Sequence, residues 1–379
     1  MKIPPLSEEI KQQTIEAVEK YGSIAEAARQ TGINYNTLKS RYGIINKKKE
    51  STPEHLEPLI PDGQKLRGTS TLYDEFGNPK LQWVKTNEDL DRTLEIIKEA
   101  ADALKEDIPK ETPTAYEGQS NADLLSTYIL TDYHIGQMSW AGETGEDWDT
   151  DKSVDFLVKW FAKAITSAPD SEVAILCQLG DFLHYDGMDS VTPTSKHLLD
   201  TDSRYARMVN MAIKAIRRII AMLLKKHKHV HIIMAEGNHD MASSIWLRAL
   251  FSDKYENEPR ITVDNTHLPY YAYEWGKTSI YFHHGHKRKM DGVSKVFASM
   301  YREMFGRTTY SYAHMGHYHH VASKEDGMMI VEQHPTMAVK DAYSARGGYV
   351  ANRGAGVITY SKIHGEVSRI IVRPEMVSK

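Results

Sequence analysis

Five short motifs rich in aspartate and histidine follow one another down this chain of 379 residues: Asp132-Tyr-His134, Gly180-Asp181-Phe-Leu-His184, Gly237-Asn238-His239-Asp240, His284-Gly285-His286 and Gly316-His317-Tyr-His319. Carboxylate and amide oxygens mixed with imidazole nitrogens, without a thiolate, form a donor set for Mn²⁺, Fe²⁺, Zn²⁺ or Mg²⁺ in a hydrolytic site. Each motif alone is ordinary, because a histidine beside a strand is more often a satisfied polar residue than a ligand. The ordered set is informative, since a pair of cations activating one water must collect ligands from several strand ends.

Each motif directly follows a run that reads as a strand: 125–130, 173–179, 230–235, 279–282 and 310–314. These are short apolar runs of the kind found in sheets covered on both faces. Helices fill the gaps. Residues 153–168 carry Val154, Leu157, Val158, Phe161 and Ile165 at helical spacing, and 204–226 carry Met208, Met211, Ile216, Ile219, Ile220 and Leu223. Two more strands are expected at 356–360 and 367–372. Strand and helix repeated in this way imply a layered α/β domain with its chemistry in strand-end loops.

Residues 125–320 resemble the calcineurin-like metallophosphoesterase superfamily, whose pattern is Asp-x-His, Gly-Asp-x-x, Gly-Asn-His-Asp/Glu, His and Gly-His-x-His. The pieces Leu130-Thr-Asp-Tyr-His-Ile-Gly-Gln137, Gly180-Asp-Phe-Leu-His184 and Gly237-Asn-His-Asp240 are most similar to double-strand-break repair nucleases of the SbcD type. The resemblance implies a pair of packed β-sheets flanked by helices (αββα), with two divalent cations at the strand ends. It implies that Asp132, His134 and His319 hold one ion, Asn238, His284 and His317 the other, and that Asp181 bridges them, with Mn²⁺ the first choice. By the same resemblance His239 faces the leaving oxygen as general acid or charge stabiliser. Asp240 is its expected orienting partner, and His184 either positions the scissile strand or supports the ligands. His283, His286, His314 and His320 are expected to support the ligands or face solvent.

The amino-terminal end has a different character. Residues 7–20 read as a helix, Ser23-Ile-Ala-Glu26 as a capping box opening a second over 23–30, and Asn34 as the start of a third after Gly32. That is the helix-turn-helix order, with small Ala27 and Ala28 permitting close packing. The expected recognition helix offers Tyr35, Asn36, Thr37, Lys39 and Arg41 to phosphates or base edges. Residues 1–49 contain nine Lys/Arg against five Asp/Glu, a charge of +4 in a chain of −4, which favours DNA as the partner.

Three domains are therefore expected: a helix-turn-helix over 1–49, a connector over 50–121 and a phosphoesterase domain over 122–379. Within the connector, 69–85 reads as a β-hairpin turning at 76–79. Residues 87–107 read as a helix with Leu90, Leu94, Ile97, Ala101 and Leu104 on a seam two heptads long. Such a seam either docks on the enzyme domain or pairs with its copy in a homodimer. Residues 111–121 read as a second linker. The whole arrangement resembles proteins encoded by tailed bacteriophages.

One cysteine, Cys177, rules out a disulfide framework, and no apolar stretch approaches the ~18 residues of a membrane span. A cytoplasmic protein, in the host cytoplasm if phage-encoded, is expected. About sixty residues follow His319, little room for the capping and ATPase-docking segments of break-repair nucleases, so an ATPase partner is not expected. The Gly-rich stretch at Arg346-Gly-Gly-Tyr349 and Arg353-Gly-Ala-Gly356 lacks Gly-Lys-Ser/Thr and reads as turns rather than a nucleotide loop. Three function classes remain: a DNA nuclease, a phosphodiesterase or phosphatase for a small nucleotide, and a DNA-binding regulator with the phosphoesterase domain as scaffold. A broad basic groove would favour the first, a closed small pocket the second; a full ligand set argues against the third.

Overall fold

The computed structural model describes residues 7–47, 64–73, 79–88, 113–193, 195–350 and 352–377. The chain divides into two compact units, Met1–Thr93 and Leu94–Lys379.

The first unit contains three helices: α1 (Glu8–Tyr21), α2 (Ile24–Thr31) and α3 (Tyr35–Lys47). The Ser7 and Ser23 side chains cap α1 and α2, accepting from the N–H groups of Ile10 and Glu26. Only half of the expected capping box forms, because the Glu26 carboxylate turns outward to Arg29 and Gln30. Val18, Ala27, Ala28 and Leu38 close a small core at the crossing of the three helices. The absence of bulk at Ala27, which is fully buried, lets the helices approach. Asn34 lies just outside α3, and its side chain accepts the Asn36 N–H.

Strands β1 (Gln64–Tyr73) and β2 (Pro79–Glu88) pair antiparallel, with Ser70 opposite Trp83 and Leu72 opposite Leu81. The ladder is longer than the sequence suggested: residues 87 and 88, expected to open a helix, instead pair with Lys65 and Gln64. The hairpin turn and the heptad seam from 89 onward, with the homodimer read from it, lie outside the described residues.

In the second unit, residues 113–121 are not a free linker. Glu258 accepts from both the N–H and hydroxyl of Thr114, Arg260 donates to the same threonine, and the Tyr116 hydroxyl donates to the Lys226 carbonyl. Two sheets follow. The first has the order β13-β12-β3-β4-β5-β6, with β3 (Asn121–Leu130), β4 (Ser171–Gln178), β5 (His229–Met234) and β6 (Ile261–Val263) parallel. Its antiparallel edge is formed by β12 (Ala355–Ser361) and β13 (Gly365–Val372). The second has the order β10-β11-β9-β8-β7, built from β7 (Tyr271–Trp275), β8 (Thr278–His283), β9 (Tyr310–Met315), β10 (Ala322–Glu325) and β11 (Ile330–Gln333).

β4 shows why the strands lack alternation. Val173, Ile175 and Cys177 point into the core between the sheets, against Ile280, Phe282 and Ile358. Ala174 and Leu176 point the other way, into a core shared with Leu157 and Phe161 of α4 (Thr150–Ser167) and Ile216 and Ile219 of α5 (Tyr205–Lys226). Both faces are covered, so both must be apolar. On the far side, Val293 and Phe297 of α7 (Met290–Met300) pack on Tyr281, Ala313 and Val331 of the second sheet. A further helix, α6 (Met241–Lys254), adds Leu247 and Phe251 to the first core. The layers run helix, sheet, sheet, helix, as expected. Among the described residues no helix is long and apolar enough to cross a membrane.

Candidate metal centre

The five motifs meet at the carboxyl ends of β3, β4, β5, β8 and β9. Beyond their strands, the first two loops stay paired: the N–H groups of Asp132, His134 and Ile135 donate to the carbonyls of Gly180, Asp181 and Phe182 at 2.8–3.0 Å. Among the described residues six non-glycine residues have positive φ, and five are expected ligands: Asp132 (52°), His134 (51°), Asp181 (52°), His317 (75°) and His319 (56°). A left-handed conformation costs a residue with a Cβ roughly 1–2 kcal/mol, so it persists only where surrounding bonds over-determine it. The motif glycines have a separate reason. A Cβ on Gly316 would lie 1.9 Å from Thr131 Oγ1, and one on Gly237 would lie 2.1 Å from Asp181 Oδ1. The backbone there packs directly on the carboxylates and their supports.

Two ligand groups result: Asp132 with His134 and His319, and Asp181 with His284 and His317, their donor atoms within 4.8 Å of one another in each group. Asp132 Oδ1 lies 3.1 Å from His319 Nε2, and His284 Nε2 lies 3.2 Å from Asp181 Oδ2 and 3.9 Å from Asp132 Oδ1, which joins the groups. Asn238 Oδ1 stands 3.2 Å from His284 Nε2, on the second side. All seven expected ligands are therefore brought together. The carboxylates are aimed by their neighbours: Asp132 Oδ2 accepts from Thr131 Oγ1 (2.6 Å) and the His317 N–H (2.8 Å), and Asp181 Oδ1 accepts from the His239 N–H (2.8 Å). That leaves Asp132 Oδ1, His134 Nδ1 and both ring nitrogens of His184 buried without a hydrogen-bond partner. Buried polar atoms are nearly always satisfied, and the oxygens and imidazole nitrogens clustered here have the donor chemistry of a divalent-cation site.

Electrostatics within the cluster follow from burial and from these contacts. Burial opposes ionisation of Asp132, but the adjacent His319 and His284 outweigh it and hold its carboxyl well below the usual range. Burial likewise opposes charge on His284, yet Asp181 and Asp132 raise it to about 9. Burial, reinforced by His239, pushes His134 well down and His184 to about 3. His134 and His184 are thus neutral imidazoles, the form that ligates or accepts.

The candidate catalytic residues are only partly as expected. His239 is half-buried beside His134 (ring centroids 4.7 Å) and stacks on His184 (5.8 Å, 19°). Its Nδ1 is fixed by the His184 carbonyl at 2.8 Å, and Asp240 does not orient it. The Asp240 carboxylate is turned inward, where it accepts from the N–H groups of Asp181, Phe182, Leu183 and Gly237. Asp240 therefore clamps the loop that carries Asp181 to the loop that carries Asn238. Sequence reasoning could not find this, because three of the four partners lie almost sixty positions away. It also missed Thr131, whose place next to Asp132 was a signal, and Thr336, which donates to the Asp132 carbonyl at 2.6 Å and carried none.

Of the remaining histidines, His286 faces Glu236 at 3.4 Å, His283 bonds the Pro269 carbonyl, and exposed His320 lines the cleft. His314 is neither beside a ligand nor in solvent: it is fully buried between Tyr360 and His334. The cleft over the cluster has a volume of about 920 Å³. The insert at 189–202 forms one wall through Thr192, His197 and Asp200, while Tyr343 and Tyr349 stand on another. Arg346 and Arg353 are paired with Glu143 and Glu146, each at 2.7 Å, and so brace loops.

No curated protein matches the chain. Among solved structures it is similar to a predicted phosphoesterase from Streptococcus pneumoniae (8% identity, 66% of this chain and 100% of that one, TM-score 0.30). It is also similar to an archaeal phosphodiesterase (14%, 65% and 99%, TM-score 0.33) and to Vacuolar Protein Sorting 29 from Cryptosporidium parvum (12%, 66% and 97%, TM-score 0.31). The family model described as calcineurin-like phosphoesterase matches residues 125–353, more than half of the sequence, and the chain belongs to that family.

Proposed function

We propose that the chain hydrolyses phosphodiester bonds of DNA at a centre of two divalent cations, manganese being the best fit to mixed carboxylate, amide and imidazole donors. Asp132, His134 and His319 would hold one ion, and Asn238, His284 and His317 the other, with Asp181 between them. The observation that carries the reading is the convergence of seven side chains from five strand ends on two buried carboxylates, Asp132 and Asp181, with His284 between them. Divalent cations held by these residues would supply the Lewis acidity that activates a water and offsets charge on the phosphate.

The chain's own residues supply the rest. His239 donates its Nδ1 proton to the His184 carbonyl, so Nε2 is the nitrogen left for the reaction, and the imidazolium form would give its Nε2 proton to the leaving oxygen. Asp240 holds the two ligand loops in register, and the buried ring of His184 packs against those of His134 and His239 and so positions both.

Nucleic acid as substrate is supported by the open cleft and by α3 of the amino-terminal unit, whose charged residues, Lys39, Arg41 and Lys47, are all basic. We read α2 and α3 as a helix-turn-helix whose α3 exposes Tyr35, Asn36, Thr37 and Lys39, with Arg41 half-exposed beside them. The second reading, a small nucleotide substrate, draws support from the mixed charge of the cleft wall, where Asp200, Asp341 and Glu146 offset Lys340 and Arg353. Incubation with MnCl₂ and labelled single-strand, duplex and hairpin DNA, beside RNA, bis-p-nitrophenyl phosphate and cyclic nucleotides, decides between them. Manganese-dependent cuts in DNA are expected. Hydrolysis of the small esters alone would select the second reading.

A further inference from the structure

The stretch Asp341-Ala-Tyr343-Ser-Ala-Arg346-Gly-Gly-Tyr349 has no part in the metal centre, yet it is built with care at the edge of the same cleft. The Asp341 carboxylate accepts the Ser344 N–H at 2.8 Å and starts a single helical turn, Ala342–Arg346. Gly347 N–H returns to the Tyr343 carbonyl (2.9 Å), Gly348 takes φ of 68°, and Tyr349 N–H returns to the Ser344 carbonyl (3.0 Å). A Cβ on Gly347 would lie 2.4 Å from Tyr349 Cε2, so the ring lies across the bare glycine. Arg346 ties the turn to Glu143.

The product of this turn is a stacked pair of phenol rings, Tyr343 and Tyr349, with centroids 6.2 Å apart and planes 26° apart. They are 71% and 60% exposed, although both border the cleft. Two large rings held parallel in water add nothing to a core. Apolar surface presented in this way marks a contact site.

We propose that Tyr343 and Tyr349 form a stacking platform for unpaired nucleobases, so that the metal centre acts on single-stranded or locally opened DNA in preference to closed duplex. The inference rests on the nucleic-acid reading above and deepens it. Every base has a π-face, and aromatic side chains in grooves bind unpaired strands by stacking, with little regard to sequence. In duplex those faces are already occupied by neighbouring pairs. A mononucleotide would need its base enclosed, whereas these rings are open to solvent, which suits a strand passing over them. The cleft wall is mixed in charge, so stacking rather than a row of cations must hold the strand outside the cation pair. Because the two rings already touch one another, a base adds to the outer face of the stack.

The test uses the full chain with MnCl₂ and compares kcat/KM on a mixed-sequence single strand, the same strand with abasic sites, blunt duplex and bis-p-nitrophenyl phosphate. The single strand is expected to be cut faster than duplex and faster than the abasic strand. Tyr343→Ala and Tyr349→Ala should each lower the ratio of single-strand to small-diester activity by about 10-fold, within the range of a lost base stack, while the Phe variants keep it. Gly347→Ala, which displaces the Tyr349 ring, should act in the same direction. If DNA is cut but the ratio is the same in the Ala variants, or duplex is preferred, the platform is wrong and the nuclease reading stands. If the small diester is hydrolysed and no nucleic acid is cut, the nuclease reading itself fails and takes the platform with it.

Discussion

His314 and His317 stand three residues apart at the end of β9, and their surroundings differ in kind. His314 is sealed inside the second sheet, with Nε2 on the Tyr360 hydroxyl (2.7 Å) and Nδ1 on His334 Nε2 (2.9 Å). A neutral His314 satisfies the row in either direction, donating through one ring nitrogen and accepting through the other. Glu332 lies within 3.7 Å of His314, so this trio has the ligand types of a metal site, but Arg369 occupies the carboxylate and the imidazoles occupy one another. At the strand ends the position is reversed. There Asp132 Oδ1, His134 Nδ1 and both ring nitrogens of His184 lack hydrogen-bond partners, and the backbone under five ligands is left-handed. Ligand-type residues with satisfied hydrogen bonds on relaxed backbone make structure; the same types, orphaned and held under strain, make a site.

The most severe test of that contrast removes one member from each cluster. His284→Ala takes away the residue that links Asp181, Asn238 and Asp132. Hydrolysis of bis-p-nitrophenyl phosphate with MnCl₂ should fall by about 10²–10³-fold or more, the scale of losing a group that stabilises transition-state charge. The far-ultraviolet circular dichroism should be retained. His314→Phe should do the opposite. It leaves the Tyr360 hydroxyl and His334 Nε2 buried without a partner, at about 1–3 kcal/mol each, while turnover per folded molecule stays near that of the parent. A double variant with Tyr360→Phe should recover part of the loss in a urea titration, because one orphan is then gone. Loss of turnover in folded His314→Phe would place that row in the catalytic apparatus and end the distinction.

Much of this was legible in the sequence, for a physical reason. Ligands collected at the ends of buried parallel strands must follow apolar runs directly, so Asp132, Asp181, Asn238, His284, His317 and His319 announce their places. What was illegible depends on distance in the chain. Asp240 reads as a partner for its neighbour His239, and only the fold shows it accepting N–H groups from 181–183. His314 and His317 read alike because sequence carries no record of which nitrogens are satisfied. β10 and β11, four residues each, and α6, whose apolar residues alternate irregularly with serines after the Gly-Asn-His-Asp motif, leave too little periodicity to be recognised. Tyr349 reads only as the end of a Gly-rich turn, and nothing in the sequence pairs it with Tyr343.

A smaller effect sharpens the contrast through pH, measured on the chelator-treated protein. Burial depresses His334 from 6.5 to about 4. Its contribution to stability is therefore complete above pH 6.5 and is lost as the pH falls from 6.5 toward 4, by at most about 3 kcal/mol at 1.36 kcal/mol per unit. His284 is shifted the other way, to about 9, with Asp181 and Asp132 overcoming burial. Its contribution is complete below pH 6.5 and is lost as the pH rises through 9. His334→Gln should therefore lie furthest below the parent in melting temperature near neutrality and approach it toward pH 4. His284→Gln should lie furthest below near pH 6 and approach the parent above pH 9. The two gaps must change in opposite senses with pH, because one histidine is held neutral by its surroundings and the other is held charged. If they change together, the two clusters do not differ in the way the hydrogen bonds indicate.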